Sequence, residues 1–115
     1  MNRVMLVAFQ GETMCFVHVL LNALDMRAKG FDVKVIIEGM ATQFVASLAD
    51  QENPFTALYE KVKAAGLFEG VCKACSAKTG ALAAAQEQGL SLLDDMSGHP
   101  SLGRYIEEGY AVMIF

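Results

Sequence analysis

The sequence predicts an α/β fold: a three-layer sandwich with a mostly parallel five-stranded sheet and helices on both faces. Three observations lead there. Short apolar runs alternate with helical patterns along the whole chain, which is the signature of strand–helix–strand units joined by right-handed crossovers. The first run, Val4 to Phe9, is continuous rather than alternating in polarity, as expected of a strand covered on both faces, and the second, Phe31 to Ile37, alternates at first and then becomes wholly apolar. The chain has 115 residues, 54% of them hydrophobic and 19% charged, enough for one domain with a full core and no disulfide staples. No repeat, linker or low-complexity segment divides it, so residues 1–115 are read as a single domain.

Val4 to Phe9 is the first strand. Gln10-Gly11-Glu12-Thr13 follows as a tight turn, with Glu12 suited to the positive start of a helix. A helix over residues 13–29 carries Met14, Val17, Leu21, Leu24 and Ala28 at helical spacing. Phe16, Val19, Leu20 and Ala23 form a second apolar flank. With so narrow a polar stripe, one flank is expected on the sheet and the other on a second subunit. Gly30 ends the helix.

The run from Phe31 to Ile37 becomes wholly apolar as it proceeds, a strand entering the core, and Glu38-Gly39 closes it. Residues 40–49 predict a short helix. Asn53-Pro54 predicts another helix start, with Asn53 as cap, and Gly66 its end. Residues 70–74 read as a short strand and 76–88 as one helix capped by Gly89. Residues 90–93 form a further strand. His99-Pro100 opens the last helix, and Tyr110 to Phe115 is the final strand.

In a parallel sheet, the turns leaving the strands gather at one edge, outside the carboxyl ends, where ligands bind. Gln10, Gly11, Glu12, Glu38, Gly39, Cys75, Ser76, Asp94 and His99 would share that rim, and Lys73 and Lys78 would add positive charge to it. The pair Cys72 and Cys75, in a C-x-x-C spacing, is the part of the chain best suited to chemistry. A thiol at a helix start lies at the positive end of the macrodipole, which favours the thiolate. The boundaries predicted above put Cys72 in the strand and Cys75 at the cap. Their side chains would then diverge, with Cys75 the reactive one.

Other readings stand beside this. Both cysteines could be small apolar core residues. A zinc site usually wants four ligands, and a second C-x-x-C is missing. Cys15, Cys72, Cys75 and His99 could supply four, but no spacing rule selects them, so no metal or other cofactor is expected. Cys15 reads as core filler and His18 as a surface or interface residue. Capping of the last helix accounts for His99 without chemistry, although it is the one histidine on the rim. Asp94 and Asp95 should point apart as a solvated turn.

The totals exclude some classes. A net charge of −4 with scattered basic residues argues against nucleic acid. The longest clean apolar run is far short of the roughly 20 residues of a membrane span. With no signal-peptide pattern, the expected location is the cytoplasm, where cysteines stay reduced.

Four segments together carry a resemblance: the opening apolar strand, Val35-Ile36-Ile37-Glu38-Gly39, Ala74-Cys75-Ser76, and Glu107-Glu108-Gly109-Tyr110-Ala111 before the last strand. The chain resembles the DsrE/DsrF-like family of sulfur-relay proteins over nearly its whole length. The resemblance implies a homo-oligomer, trimer or hexamer, and no cofactor. It implies that Cys75 carries sulfur as a persulfide between donor and acceptor proteins, with Cys72 as an addition found in a subset of the family. Glu38 stands where many relatives have histidine. The other function class that the residues allow is a non-catalytic oligomeric module holding a small ligand or metal at the Cys72/Cys75 rim.

Overall fold

A computed structural model describes residues 2–115. Its five strands form one sheet in the order β4-β3-β2-β1-β5, and every neighbouring pair is parallel. The strands are β1 (Arg3–Ala8), β2 (Asp32–Ile37), β3 (Phe68–Cys72), β4 (Leu92–Leu93) and β5 (Ala111–Ile114). The helices are α1 (Thr13–Ala28), α2 (Phe44–Ser47), α3 (Thr56–Ala64), α4 (Lys73–Thr79), α5 (Leu82–Glu87) and α6 (Leu102–Glu107). The α/β class and the five-stranded sheet are those the sequence predicts, and the parallel pairing is complete. Among the described residues, no helix is long and apolar enough to cross a membrane.

Alternation along β1 explains how one strand serves two cores. Val4, Leu6 and Ala8 enter a large apolar cluster with Val33, Val35 and Ile37 of β2 and Phe16, Val19, Leu20 and Ala23 of α1. Met5 and Val7 enter a second cluster with Ile36, Tyr105 of α6 and Tyr110. Both sets of β1 side chains are buried, which is why the run shows no polar alternation.

α1 buries its Phe16–Val19–Leu20–Ala23 flank and Val17. Met14 and Leu21 of the other flank are 53% and 49% exposed. The division into two flanks is only partial: Val17, spaced with Met14 and Leu21, is buried, and Leu24 packs against the core.

Several boundaries differ from the sequence reading, among them that of β4, which covers only Leu92–Leu93 of the expected 90–93. Residues 40–49 do not form one helix: Gly39–Gln43 is a 3-10 turn that runs into α2. Asn53 does not cap a helix. Its Oδ1 accepts the Phe55 N–H within a turn (2.9 Å), and α3 starts later, at Thr56. The single helix expected over 76–88 is two, broken at Gly80, whose φ of +80° is the left-handed conformation that ends α4. β3 starts earlier, at Phe68, and α4 starts at Lys73, three residues before the predicted start.

Gly70 is the one position of β3 where a side chain would have no room. A Cβ there would lie 2.6 Å from Leu93 Cγ and 2.7 Å from the Ser91 carbonyl oxygen. The missing side chain lets β4 pass against β3. Gly70→Ala should therefore destabilise the protein by about 1–3 kcal/mol, the range for overpacking a filled interior. A lowered urea midpoint at unchanged slope is the expected result.

Candidate functional site

Cys72 ends β3 and is the N-cap of α4. Its sulfur takes the part usually played by a Ser or Asp oxygen, accepting the Cys75 N–H at 3.4 Å. An N-cap side chain and the residue three positions on lie on the same side of the first turn. The two sulfurs are consequently 2.8 Å apart. This corrects the expectation that they diverge: with α4 starting at Lys73, Cys75 lies one turn inside the helix rather than at its cap. Cys72 is fully buried, Cys75 half-buried, and both are free thiols.

His99 joins them from the next turn along the sheet. It does not open the last helix, as its proline neighbour suggested. That helix is capped by Ser101, whose Oγ accepts the Arg104 N–H at 3.4 Å. His99 instead closes a two-residue hairpin with Met96. Met96 N–H bonds the His99 carbonyl at 2.8 Å, and His99 N–H bonds the Met96 carbonyl at 3.0 Å. Ser97 and Gly98 between them have φ of 51° and 90°, the positive pair of a tight hairpin turn. The Ser-Gly dipeptide was the signal for it in the sequence. Gly98 also offers its carbonyl to the Ala74 N–H at 2.8 Å, which ties the hairpin to α4. The imidazole Nδ1 then lies 3.2 Å from Cys72 Sγ and 3.7 Å from Cys75 Sγ.

Cys75 and His99 form one wall of an open cavity of about 270 Å³, completed by Phe9, Gly39, Met40, Lys78 and Thr79. Of the predicted rim, Gly39, Lys78, Cys75 and His99 line it. Phe9, Met40 and Thr79 were not foreseen. Phe9 and Met40 are exposed apolar side chains beside a strand end, which sequence alone does not distinguish from core residues. Gln10, Gly11 and Glu12 are exposed at the same end of the sheet without lining the cavity; Gln43 Nε2 donates to the Gly11 carbonyl at 3.5 Å. Lys73 points to Asp94 (3.6 Å), which offsets the charge expected to act on the sulfurs. Asp95 turns elsewhere, accepting the Ser101 N–H at 3.0 Å. Cys15 and His18 take no part in the cluster.

Two hydroxyls brace the floor. Buried Thr42 donates to the Gly39 carbonyl at 2.9 Å and lies 2.7 Å from Thr79 Oγ1, locking the 3-10 turn to α4. Ser76, also buried, has no partner for its hydroxyl among the described residues. It belongs to the packing of α4 rather than to the rim where the sequence placed it.

Burial acts on two ionisable groups beside the cavity. Burial, and then the hydrogen bond to Cys75, push the Cys72 thiol up to about 12. Burial likewise raises the Glu38 carboxyl above its ordinary range, against the opposing charge of His99. Cys72 is therefore a protonated, sequestered thiol at neutral pH, and Cys75 is the one open to the cavity. Brief alkylation of the reduced protein at pH 8 should label Cys75 before Cys72, and peptide mapping by mass spectrometry reads the order directly.

The chain is 33% identical over 96 residues to the uncharacterized protein MJ0733 of Methanocaldococcus jannaschii, covering 84% of this chain and 76% of that protein. An uncharacterized protein of Archaeoglobus fulgidus is 53% identical over 36 residues, which are 31% of this chain and 97% of its own length. No protein-family model matches, and no solved structure matches. The chain belongs to the family of the M. jannaschii protein.

Proposed function

We propose that the protein is a sulfur carrier that holds sulfane sulfur on Cys75 as a persulfide and passes it to an acceptor thiol, as in the DsrE/DsrF-like proteins it resembles. The observation that carries this reading is the position of Cys75 Sγ in the wall of an open cavity, with a second thiol 2.8 Å behind it and an imidazole nitrogen 3.7 Å away.

The chemistry follows from that arrangement. The Cys75 thiolate attacks the outer sulfur of a donor persulfide. The donor S–S bond breaks, a new one forms on Cys75, and the donor leaves as a thiolate. His99 Nδ1 is close enough to take the Cys75 proton before attack and return it to the departing sulfur. Transfer onward repeats the step, with the acceptor thiolate attacking the outer sulfur and Cys75 leaving. Lys78 in the cavity lining would favour an anionic sulfur species there.

Cys72 adds a second exit. Once deprotonated, it can attack the inner sulfur of the Cys75 persulfide. A Cys72–Cys75 disulfide then forms, hydrosulfide leaves, and a dithiol reductant restores both thiols. Burial of Cys72 keeps this exit slow, which suits a carrier that must hold its cargo.

Intact-mass spectrometry of metal-free protein after incubation with a low-molecular-weight persulfide tests the reading. The expected gain is about 32 Da, one sulfur, absent in Cys75→Ser. Cys72→Ser should keep the adduct longer, whereas the native protein drifts to about 2 Da below its starting mass as the disulfide closes. An unmodified native protein, or a gain that survives Cys75→Ser, would overturn the assignment.

A further inference from the structure

Cys72 Sγ, Cys75 Sγ and His99 Nδ1 all lie within 4.8 Å of one another. Each is a donor that zinc favours: thiolate sulfur or imidazole nitrogen. With Zn–S of about 2.3 Å and Zn–N of about 2.0–2.1 Å, a tetrahedral ion holds two sulfurs about 3.8 Å apart and each sulfur about 3.6 Å from the nitrogen. The two sulfur–nitrogen distances, 3.2 and 3.7 Å, already bracket that value. The sulfurs, 2.8 Å apart, need to open by about 1 Å. Cys75 lies against the open cavity, so a rotation of its side chain supplies the room.

The surroundings fit a ligand set of this kind. The Cys75 N–H already points at Cys72 Sγ, the outer hydrogen bond that supports a metal-bound thiolate. The His99 backbone is pinned by the hairpin and by the Gly98–Ala74 bond. Among the described residues, no fourth donor lies within 4.8 Å of all three atoms; Glu38, although it interacts with His99 and Cys72, is outside that group. Thr79 is engaged with Thr42, Lys78 carries an ammonium, and Met40 offers a thioether, which is not among the usual zinc donors.

We infer that Cys72, Cys75 and His99 form a three-ligand zinc site whose fourth position opens into the Phe9–Met40–Lys78 cavity and takes a small anionic ligand such as a thiolate or hydrosulfide. Zn²⁺ with two thiolates and a neutral imidazole is uncharged. An anion in the fourth position therefore leaves one negative charge, which the Lys78 ammonium offsets. Three protein ligands with one open position is the pattern of catalytic rather than structural zinc. The inference uses the side chains of the proposed carrier but does not depend on persulfide chemistry.

Reduced, metal-free protein titrated anaerobically with Co²⁺ and then Zn²⁺ provides the test. One equivalent of zinc per chain should remain after desalting. Cobalt should give the thiolate-to-metal charge-transfer band and the intense ligand-field bands of a four-coordinate ion, bleached by zinc. Cys72→Ser and His99→Ala should each weaken zinc by more than the roughly 10–100-fold that losing an outer hydrogen-bond partner costs. Cys15→Ser should leave it unchanged, and circular dichroism of each variant confirms the fold. Added thiol should shift the cobalt bands of the native protein. Weak six-coordinate bands, zinc retained by both ligand variants, or bands indifferent to thiol would overturn the site as drawn. The persulfide experiment is run in chelator, so either result can fail while the other stands.

Discussion

The site depends on one hydrogen bond, from the Ala74 N–H to the Gly98 carbonyl at 2.8 Å. It joins the first turn of α4 to the hairpin after β4, two segments that follow neighbouring parallel strands. β3 and β4 pair over only two positions, Val71 with Leu92 and Cys72 with Leu93. That short ladder cannot by itself aim a side chain several residues beyond it. The Gly98 contact does so, and it is tight: a Cβ on Gly98 would lie 3.2 Å from Ala74 Cβ, on a backbone whose φ of +90° strains any L side chain. Glycine is there for both reasons, its φ and the closeness of the helix. With the hairpin held, His99 has little choice but to face the sulfurs.

A second constraint acts from the other side. The 3-10 turn after β2 is bound to α4 through Thr42 and Thr79, both hydroxyls spent on each other and on the Gly39 carbonyl. Gly39 has φ of +59°, and a Cβ there would meet the Phe9 carbonyl oxygen at 2.9 Å. The turns after β1 and β2 therefore close on each other, while the turns after β3 and β4 do the same through Gly98. The cavity is the gap left between these two pairs of turns. Its position outside the carboxyl ends of parallel strands is the general rule for such sheets. Its chemistry is particular to this chain, because one pair of turns brings sulfur and imidazole and the other brings hydrocarbon.

How much of this could be read from the sequence differs by level. The sheet was legible because β1 is buried on both faces from Val4 onward and β2 from Val35 onward, so these stretches read as apolar runs, while Asp32 and Lys34 mark the half-buried start of β2. The carboxyl-edge placement of Gly39, Cys75, Lys78 and His99 followed from topology alone. The relation between the two cysteines did not, because it turns on a helix boundary. Cysteine is not a usual N-cap residue, and Lys73-Ala74 reads as strand or helix equally well. A shift of three residues converts diverging thiols into a facing pair. His99 was misplaced for a similar reason. The following proline resembles a helix start, yet Ser101 supplies the capping oxygen and Ser97-Gly98 forms the turn that aims the histidine. Such local competitions are settled by tertiary contacts, here the Gly98–Ala74 bond, that no nearby residue announces.

The two proposed uses of the cluster draw on the same lone pairs, and this orders them. A persulfide on Cys75 needs that sulfur free to attack and to be attacked, whereas zinc would hold it as a ligand together with Cys72. Metal would also deprotonate Cys72, whose burial otherwise keeps its proton in place. In the metal-free state, the proposed chemistry would make the buried thiol a slow resolving group behind an accessible carrier. With zinc bound, both thiolates become fixed donors, and the cavity faces an open coordination position. Sulfide arriving there would be held by the ion and Lys78 rather than by a covalent S–S bond. The arrangement of one buried thiol, one exposed thiol and one pinned imidazole admits either state, and zinc occupancy would decide whether sulfur in the cavity is bonded to protein or to metal.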